Sequence, residues 1–217
     1  MELKNATINF LGDSITEGAG ASRRENRYTD VLAREFGLKA ANNYGIGGTR
    51  IARQHTPTRD NPQFDQDFCL RLKQMDESAD GVVVMGGVND YGHGDAPIGA
   101  PGDQTPETFW GACYYLMDAL QSRYCGKPVL IVTPLHCGND RAPKAGYPGV
   151  VTLDTYRQIL LSTAEYFALP VLDLYAQSGM QPDHPVCRET LMPDALHPND
   201  AGHALVARKI GNFLKLL

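Results

Sequence analysis

The stretch Val82-Val83-Val84-Met85 is the clearest strand of this sequence, because its apolar residues follow one another without a break. A strand that is apolar at every position is typical of a parallel sheet with helices packed on both faces. Similar short runs predict four more strands, at Thr7 to Leu11, Ala40 to Tyr44, Val129 to Thr133 and Val171 to Leu174. The sequence therefore predicts a sheet of five strands.

Helical patterns separate these strands. They predict helices at Tyr28 to Phe36, Phe64 to Met75, Glu107 to Tyr124, Thr152 to Phe167 and Ala201 to Leu216. Such βαβ alternation indicates an α/β fold with an open, doubly wound parallel sheet, which binds ligands beyond the carboxyl ends of its strands. Two long loops rich in Gly and Pro, Tyr91 to Pro106 and Leu135 to Val150, are predicted as pocket walls or lids, or else as plain surface connections.

Length and composition fit one soluble domain over residues 1–217, with 42% hydrophobic and 21% charged residues. The formal net charge of -5 leaves no basic surface of the kind that binds nucleic acid, so we expect no nucleic-acid partner. The sequence does not predict the oligomeric state.

The amino terminus, Met1 to Asn5, lacks the features of a secretion signal, and no apolar stretch approaches the roughly 20 residues that cross a bilayer. The five cysteines follow no spacing typical of zinc sites or disulfide frameworks. We therefore expect a cytoplasmic protein with reduced thiols and no membrane partner.

Gly12-Asp13-Ser14 follows the first predicted strand, where the backbone turns out of the sheet. Ser14 would face the crevice and act as a nucleophile, although the Gly-x-Ser-x-Gly elbow of α/β-hydrolases is missing. The same three residues also fit a turn that caps a helix. This motif alone leaves both interpretations open.

Near the other end, Asp194 and His197 stand three positions apart in a loop between Pro193 and Pro198. A carboxylate at this spacing reaches the imidazole Nδ1, which leaves Nε2 free to accept a proton from a serine. A solvent-facing loop pair is the alternative.

Two further loops follow the second and third predicted strands. Asn43-Tyr44-Gly45-Ile46-Gly47-Gly48 ends in a glycine cluster, and Gly86-Gly87-Val88-Asn89 ends in an asparagine. The backbone N–H of Gly48 and the side-chain amide of Asn89 are donors suited to an oxyanion, as acyl transfer requires. The glycine cluster also fits a tight turn or a phosphate-binding loop, but it lacks the spacing of the dinucleotide fingerprint.

Together these four motifs resemble the GDSL, or SGNH, hydrolase family, and they occur in the family's order from Gly12 to His197. The resemblance implies a flavodoxin-like, three-layer α/β/α fold. It also implies Ser14 as nucleophile, His197 as base, Asp194 as its orienter, and an oxyanion hole from the N–H groups of Ser14 and Gly48 with the Asn89 amide. It implies no metal and no organic cofactor.

We therefore expect a carboxylic ester hydrolase resembling acetylesterases, with a small-molecule or carbohydrate ester as substrate. Polar residues in and near the loops suggest Asp13, Arg50, Tyr91 and His136 as substrate contacts, although Arg50 equally fits a structural salt bridge. A lysophospholipase or thioesterase of the same family is one alternative. A non-catalytic phosphate- or nucleotide-binding module on a flavodoxin-like fold is another.

Overall fold

The computed structural model describes residues 1–147 and 149–217 and joins the predicted strands in one parallel sheet. The strands are β1 (Thr7–Gly12), β2 (Ala40–Gly45), β3 (Gly81–Met85), β4 (Val129–Val132) and β5 (Val171–Leu172). Their order is β2-β1-β3-β4-β5, which is the flavodoxin-like order with its crevice between β1 and β3. The predicted five-stranded parallel fold is confirmed.

Helices connect the strands. The α-helices in the described residues are α1 (Ser14–Glu17), α2 (Tyr28–Phe36), α3 (Phe68–Arg71), α4 (Val88–His93), α5 (Phe109–Arg123), α6 (Leu153–Tyr166), α7 (Leu174–Gln177), α8 (Pro185–Leu191) and α9 (Asp200–Leu214). Short 3-10 turns lie at Arg24–Asn26, Pro62–Asp65 and Leu72–Gln74. Within residues 1–147 and 149–217, none of the helices combines the length and apolar character needed to span a bilayer.

Two apolar cores lie on opposite faces of the sheet because successive strand side chains alternate in direction. Val82 and Val84 pack with α3, α5 and α6, whereas Val83 and Met85 pack with α2 and α9. The strand that is apolar throughout thus serves both cores, which accounts for the three layers.

The expected helix from Phe64 to Met75 is wrong as a continuous element. The chain instead forms the 3-10 turn Pro62–Asp65, then α3, then a second 3-10 turn. The Asp67 carboxylate accepts a hydrogen bond from Leu70 N at 2.7 Å and starts α3 as a new helix. Because an N-cap residue has non-helical backbone angles, Asp67 interrupts the helical path.

Two other boundaries also differ from expectation. Residues 91–93 of the predicted loop Tyr91 to Pro106 belong to α4. The fifth strand ends at Leu172 because Asp173 caps α7, with its carboxylate accepting from Ala176 N at 3.3 Å. Pro148, inside the second predicted loop, lies outside the described residues.

Arg71 is a buried cation, only 2% exposed, at the carboxyl edge of the sheet. Its guanidinium donates to the carbonyl of Gly12 at the end of β1 (3.0 Å), to the carbonyl of Tyr44 in β2, and to Thr49 Oγ1 (2.7 Å). Burial lowers the pKa of Arg71 to about 10, so the group stays charged at neutral pH. One side chain therefore holds two strand ends and the loop after β2.

We expect Arg71→Met to lower the free energy of unfolding by about 3 kcal/mol or more, because three hydrogen bonds from a charged group are lost and each contributes about 1.5–3 kcal/mol. Urea denaturation measures this. Arg208→Met is the matched control, since Arg208 pairs with Glu35 at the surface and its loss should change stability little. Equal denaturation midpoints for the two variants would contradict the role assigned to Arg71.

Candidate active site

Ser14 is the first residue of α1, directly beyond the end of β1. Asp13 caps this helix, and its Oδ1 accepts a hydrogen bond from Ile15 N at 3.0 Å. The carboxyl is 2% exposed. Burial raises the pKa of Asp13 to about 6, against the opposing effects of the Ile15 N–H and the charges of His197 and Arg71. The capping interpretation therefore holds for Asp13, and its burial disfavours the substrate contact predicted for it.

His197 lies beside Ser14 although the two are far apart in sequence. Ser14 Oγ and His197 Nε2 are 3.0 Å apart, and His197 Nδ1 is 2.7 Å from Asp194 Oδ2. The structure thus brings together the three side chains that the sequence predicted as nucleophile, base and orienter.

The Asp194 carboxylate is held in its turn by the backbone. Its Oδ1 accepts hydrogen bonds from His197 N at 2.7 Å and Leu196 N at 2.9 Å. Burial alone would raise the pKa of Asp194, but these bonds and that of the His197 ring outweigh it and lower the pKa. An ionised Asp194 requires a proton on His197 Nδ1, so Nε2 is the acceptor that faces Ser14.

The turn after β2 that contains Gly47 and Gly48, called the glycine turn below, lies beside Ser14. A methyl group added at Gly47 would lie 3.7 Å from Ser14 Cβ. Gly48 has a φ of +74°, and a methyl group there would lie 2.1 Å from the Phe64 ring. Only glycine fits such a position without strain. Within residues 1–147 and 149–217, no acceptor is hydrogen-bonded to the N–H of Ser14 or Gly48, so both donors are available.

Asn89 and Asp90 lie in the first turn of α4 and connect it to the glycine turn. Asn89 Nδ2 donates to the Thr49 carbonyl at 3.0 Å. Asp90 is buried and accepts hydrogen bonds from Ile51 N and Ala52 N, both at 2.9 Å. Asp90 therefore orders the loop, and the Asn89 amide retains a second hydrogen for another acceptor.

The other predicted substrate contacts have protein partners. Arg50 is 4% exposed and lies 2.9 Å from the His93 ring and 3.5 Å from Asp65, which favours its structural interpretation. Tyr91 donates its hydroxyl to loop carbonyls and also lines a cavity. His136 pairs with Asp140 at 2.5 Å. Substrate contact by Tyr91 and His136 stays a prediction.

A cavity of about 300 Å³ opens beside the site. Its lining comprises Val88, Asn89, Tyr91, Gly92, His93, Cys137, Gly138, Asp194, Ala195 and Leu196. A larger cavity of about 820 Å³ shares Gly92 and His93 and continues along segments 94–99 and 144–147. Together they form a recess on one side of the catalytic residues that the sequence predicted.

Two polar residues of this region, Arg71 and His93, were not among the site residues predicted from the sequence. Arg71 stands three positions after Phe68 and four before Met75, among apolar residues of a helical pattern, and that position was the available signal for burial. His93 lies four residues after Asn89 and shares its helix face, but the neighbouring glycines predicted a loop there.

Comparisons place this fold and motif order among known proteins. The GDSL-like Lipase/Acylhydrolase family matches over residues 10–205. A solved protein from Lactobacillus plantarum is 32% identical, with a TM-score of 0.83 over 99% of this chain and 98% of that one. None of the curated proteins matches this sequence.

Two solved esterases share the fold at lower identity. The acetyl xylan esterase AlAXEase is 23% identical, with a TM-score of 0.66 over 95% of this chain and 98% of that one. A two-domain esterase active on acetylated mannans is 24% identical, with a TM-score of 0.63 over 99% of this chain but 49% of that one.

The family match spans all four motifs, and the sheet order agrees with the fold that the resemblance implied. This chain belongs to the GDSL-like lipase/acylhydrolase family.

Proposed function

We propose that this chain is a serine ester hydrolase that removes short acyl groups, acetyl above all, from a carbohydrate or another small ester. The observation that carries this proposal is the hydrogen-bonded series from Ser14 Oγ to His197 Nε2 (3.0 Å) and from His197 Nδ1 to Asp194 (2.7 Å). This is the arrangement in which a histidine activates a serine.

In the first half of the reaction, His197 Nε2 takes the hydroxyl proton as Ser14 Oγ attacks the ester carbonyl carbon. The tetrahedral intermediate then collapses, its bond to the alcohol oxygen breaks, and the leaving alkoxide takes the proton from His197. Asp194 stabilises the imidazolium while it exists. An acyl group remains bound to Ser14.

The carbonyl oxygen becomes negatively charged in the intermediate and needs donors that are already oriented. The N–H groups of Ser14 and Gly48 have no acceptor among the described residues, and Asn89 Nδ2 has one hydrogen left after its bond to Thr49. These three donors form the proposed oxyanion hole.

In the second half, His197 Nε2 takes a proton from water as that water attacks the acyl carbon. The bond to Ser14 Oγ breaks, Oγ regains its proton from His197, and the free acid leaves. Each proton moves between groups of this chain, the water and the substrate.

The cavity of about 300 Å³ that Asn89 and Asp194 line offers room for an acyl group beside the site. Two proteins of the same fold carry names that specify acetyl esters of polysaccharides. The larger neighbouring cavity of about 820 Å³ offers room for a sugar beside the acyl group.

We expect Ser14→Ala to lower kcat/KM for p-nitrophenyl acetate about 10,000-fold or more, because the attacking oxygen is removed. Release of nitrophenol measures it. Ser162→Ala, in α6, is the matched control and should keep the parent's rate. Full activity in Ser14→Ala would remove the serine mechanism and favour the non-catalytic binding module.

Gly48→Ala should reduce kcat about 100-fold or more. The added methyl group is strained at a positive φ and collides with the Phe64 ring, so the backbone shifts and the N–H of residue 48 leaves its position. Gly102→Ala is a matched control, since Gly102 also has a positive φ of +106° but no neighbour within 4 Å of an added methyl group. Both variants should lose some thermal stability, and only Gly48→Ala should lose turnover. Unchanged turnover in Gly48→Ala would exclude its N–H from the oxyanion hole.

Among p-nitrophenyl esters, kcat/KM should fall at least about 10-fold from acetyl to octanoyl, because the longer chain would desolvate polar groups of the cavity lining, such as Asn89 and Asp194, without hydrogen-bonding them. Acetylated xylan and mannan oligosaccharides should release acetic acid, which is measured directly. A steep gain with chain length would favour a lysophospholipase or thioesterase instead.

A further inference from the structure

The side-chain amide of Asn89 has two hydrogen-bond partners in the protein, one an acceptor and the other a donor. Nδ2 lies 3.0 Å from the Thr49 carbonyl, which only accepts, and Oδ1 lies 3.2 Å from Nε2 of His93. An asparagine amide can otherwise flip and exchange its oxygen for its nitrogen. A flipped Asn89 would present an oxygen to the developing oxyanion.

Arg50 determines which nitrogen of His93 carries the proton. Its Nη2 lies 2.9 Å from His93 Nδ1, and a guanidinium only donates, so Nδ1 must be the acceptor. A neutral ring then carries its proton on Nε2, which donates to Asn89 Oδ1. The series from Arg50 through His93 therefore allows one orientation of the Asn89 amide.

The surroundings keep this series in place. Although His93 is exposed on its outer side, desolvation of its ring by the neighbouring groups, helped by the charges of Arg50 and Lys144, lowers its pKa to about 4, so the ring is neutral at pH 7. The Phe64 ring packs 5.5 Å from the His93 ring, centre to centre. Arg50 Nη1 is 3.3 Å from the Phe64 carbonyl, which anchors the guanidinium from its other side.

We propose that Arg50 and His93 are positioning residues that hold the Asn89 amide with Nδ2 toward the oxyanion. The proposal rests on the proposed esterase function of this site. Neither residue touches the reacting atoms, and both act through Asn89. His93 is the residue to test because Arg50 is more deeply buried and contacts more groups.

Replacing His93 by leucine removes the donor to Asn89 Oδ1. We expect His93→Leu to lower kcat for p-nitrophenyl acetate about 10- to 100-fold with little change in KM, a smaller loss than removal of the donor itself. The matched control is His55→Leu, because His55 is exposed like His93 but its Nε2 bonds the Glu107 carbonyl and not Asn89. An unchanged kcat in His93→Leu would overturn the proposal.

A double-mutant cycle separates positioning from a general structural effect. If His93 acts through Asn89, His93→Leu should reduce kcat in the parent as stated above. In the Asn89→Ala background, the same substitution should reduce kcat by less than about 2-fold. Equal losses in both backgrounds would overturn the proposal, since they would mean that His93 acts independently of the amide.

Conservative variants keep the test decisive if His93→Leu does not fold. Glutamine can accept from Arg50 and still reach Asn89 with an N–H donor, whereas asparagine at position 93 is one methylene shorter and cannot reach it. We expect His93→Gln to retain a kcat at least about 5-fold above that of His93→Asn. The reverse order, or equal rates, would contradict positioning.

The tautomer is measurable without catalysis. In the Ser14→Ala variant, ¹⁵N NMR should show His93 as the neutral tautomer with its proton on Nε2. A proton on Nδ1 would overturn the positioning proposal whether or not the parent hydrolyses esters. Absence of hydrolysis by the parent, together with the Nε2–H tautomer, would instead reject the proposed function and leave the orientation of Asn89 intact.

Discussion

The buried guanidinium of Arg71 is the interaction on which the site depends. At the carboxyl edge of the sheet, the Gly12 carbonyl accepts from Ile46 N at 3.2 Å and, like the Tyr44 carbonyl, also from Arg71. Buried carbonyls need donors, and a guanidinium has five in one plane. Arg71 binds both carbonyls and Thr49 as well, so it joins α3, the ends of β1 and β2, and the glycine turn directly behind Ser14.

Hydrogen bonds between loops also join the other motifs. Asn89 donates to Thr49, and Asp90 accepts from Ile51 and Ala52, so the start of α4 is bonded to the chain that follows the glycine turn. Most polar groups around the site are therefore hydrogen-bonded to other groups of the protein. The N–H groups of Ser14 and Gly48, which have no acceptor among the described residues, are donors of the proposed oxyanion hole, and they are oriented before any substrate arrives, which avoids the cost of reorganisation.

Features that depend on sequence neighbours were predictable. The run Val82 to Met85 is apolar at every position, and the structure uses alternate residues in the two cores. The order of the four motifs predicted the family and the strand ends at which the site lies. Helix boundaries were less predictable, because Asp67 starts a new helix inside an apolar pattern and Gly92 occurs inside α4. Local propensity is weak in such short elements, and tertiary contacts decide them.

By itself, the sequence determined the three-layer architecture and which residues stand at the strand ends, since periodicity and motif spacing are local properties of the chain. The contact between Arg50 and His93, on which their proposed positioning roles rest, was decided only by the tertiary structure. Arg50 looked equally suited to bind substrate or to form a salt bridge, and its burial against His93 is a contact across 43 positions. Hydrogen bonds of that range depend on how the helices and loops pack together, and no pattern of neighbouring residues encodes them.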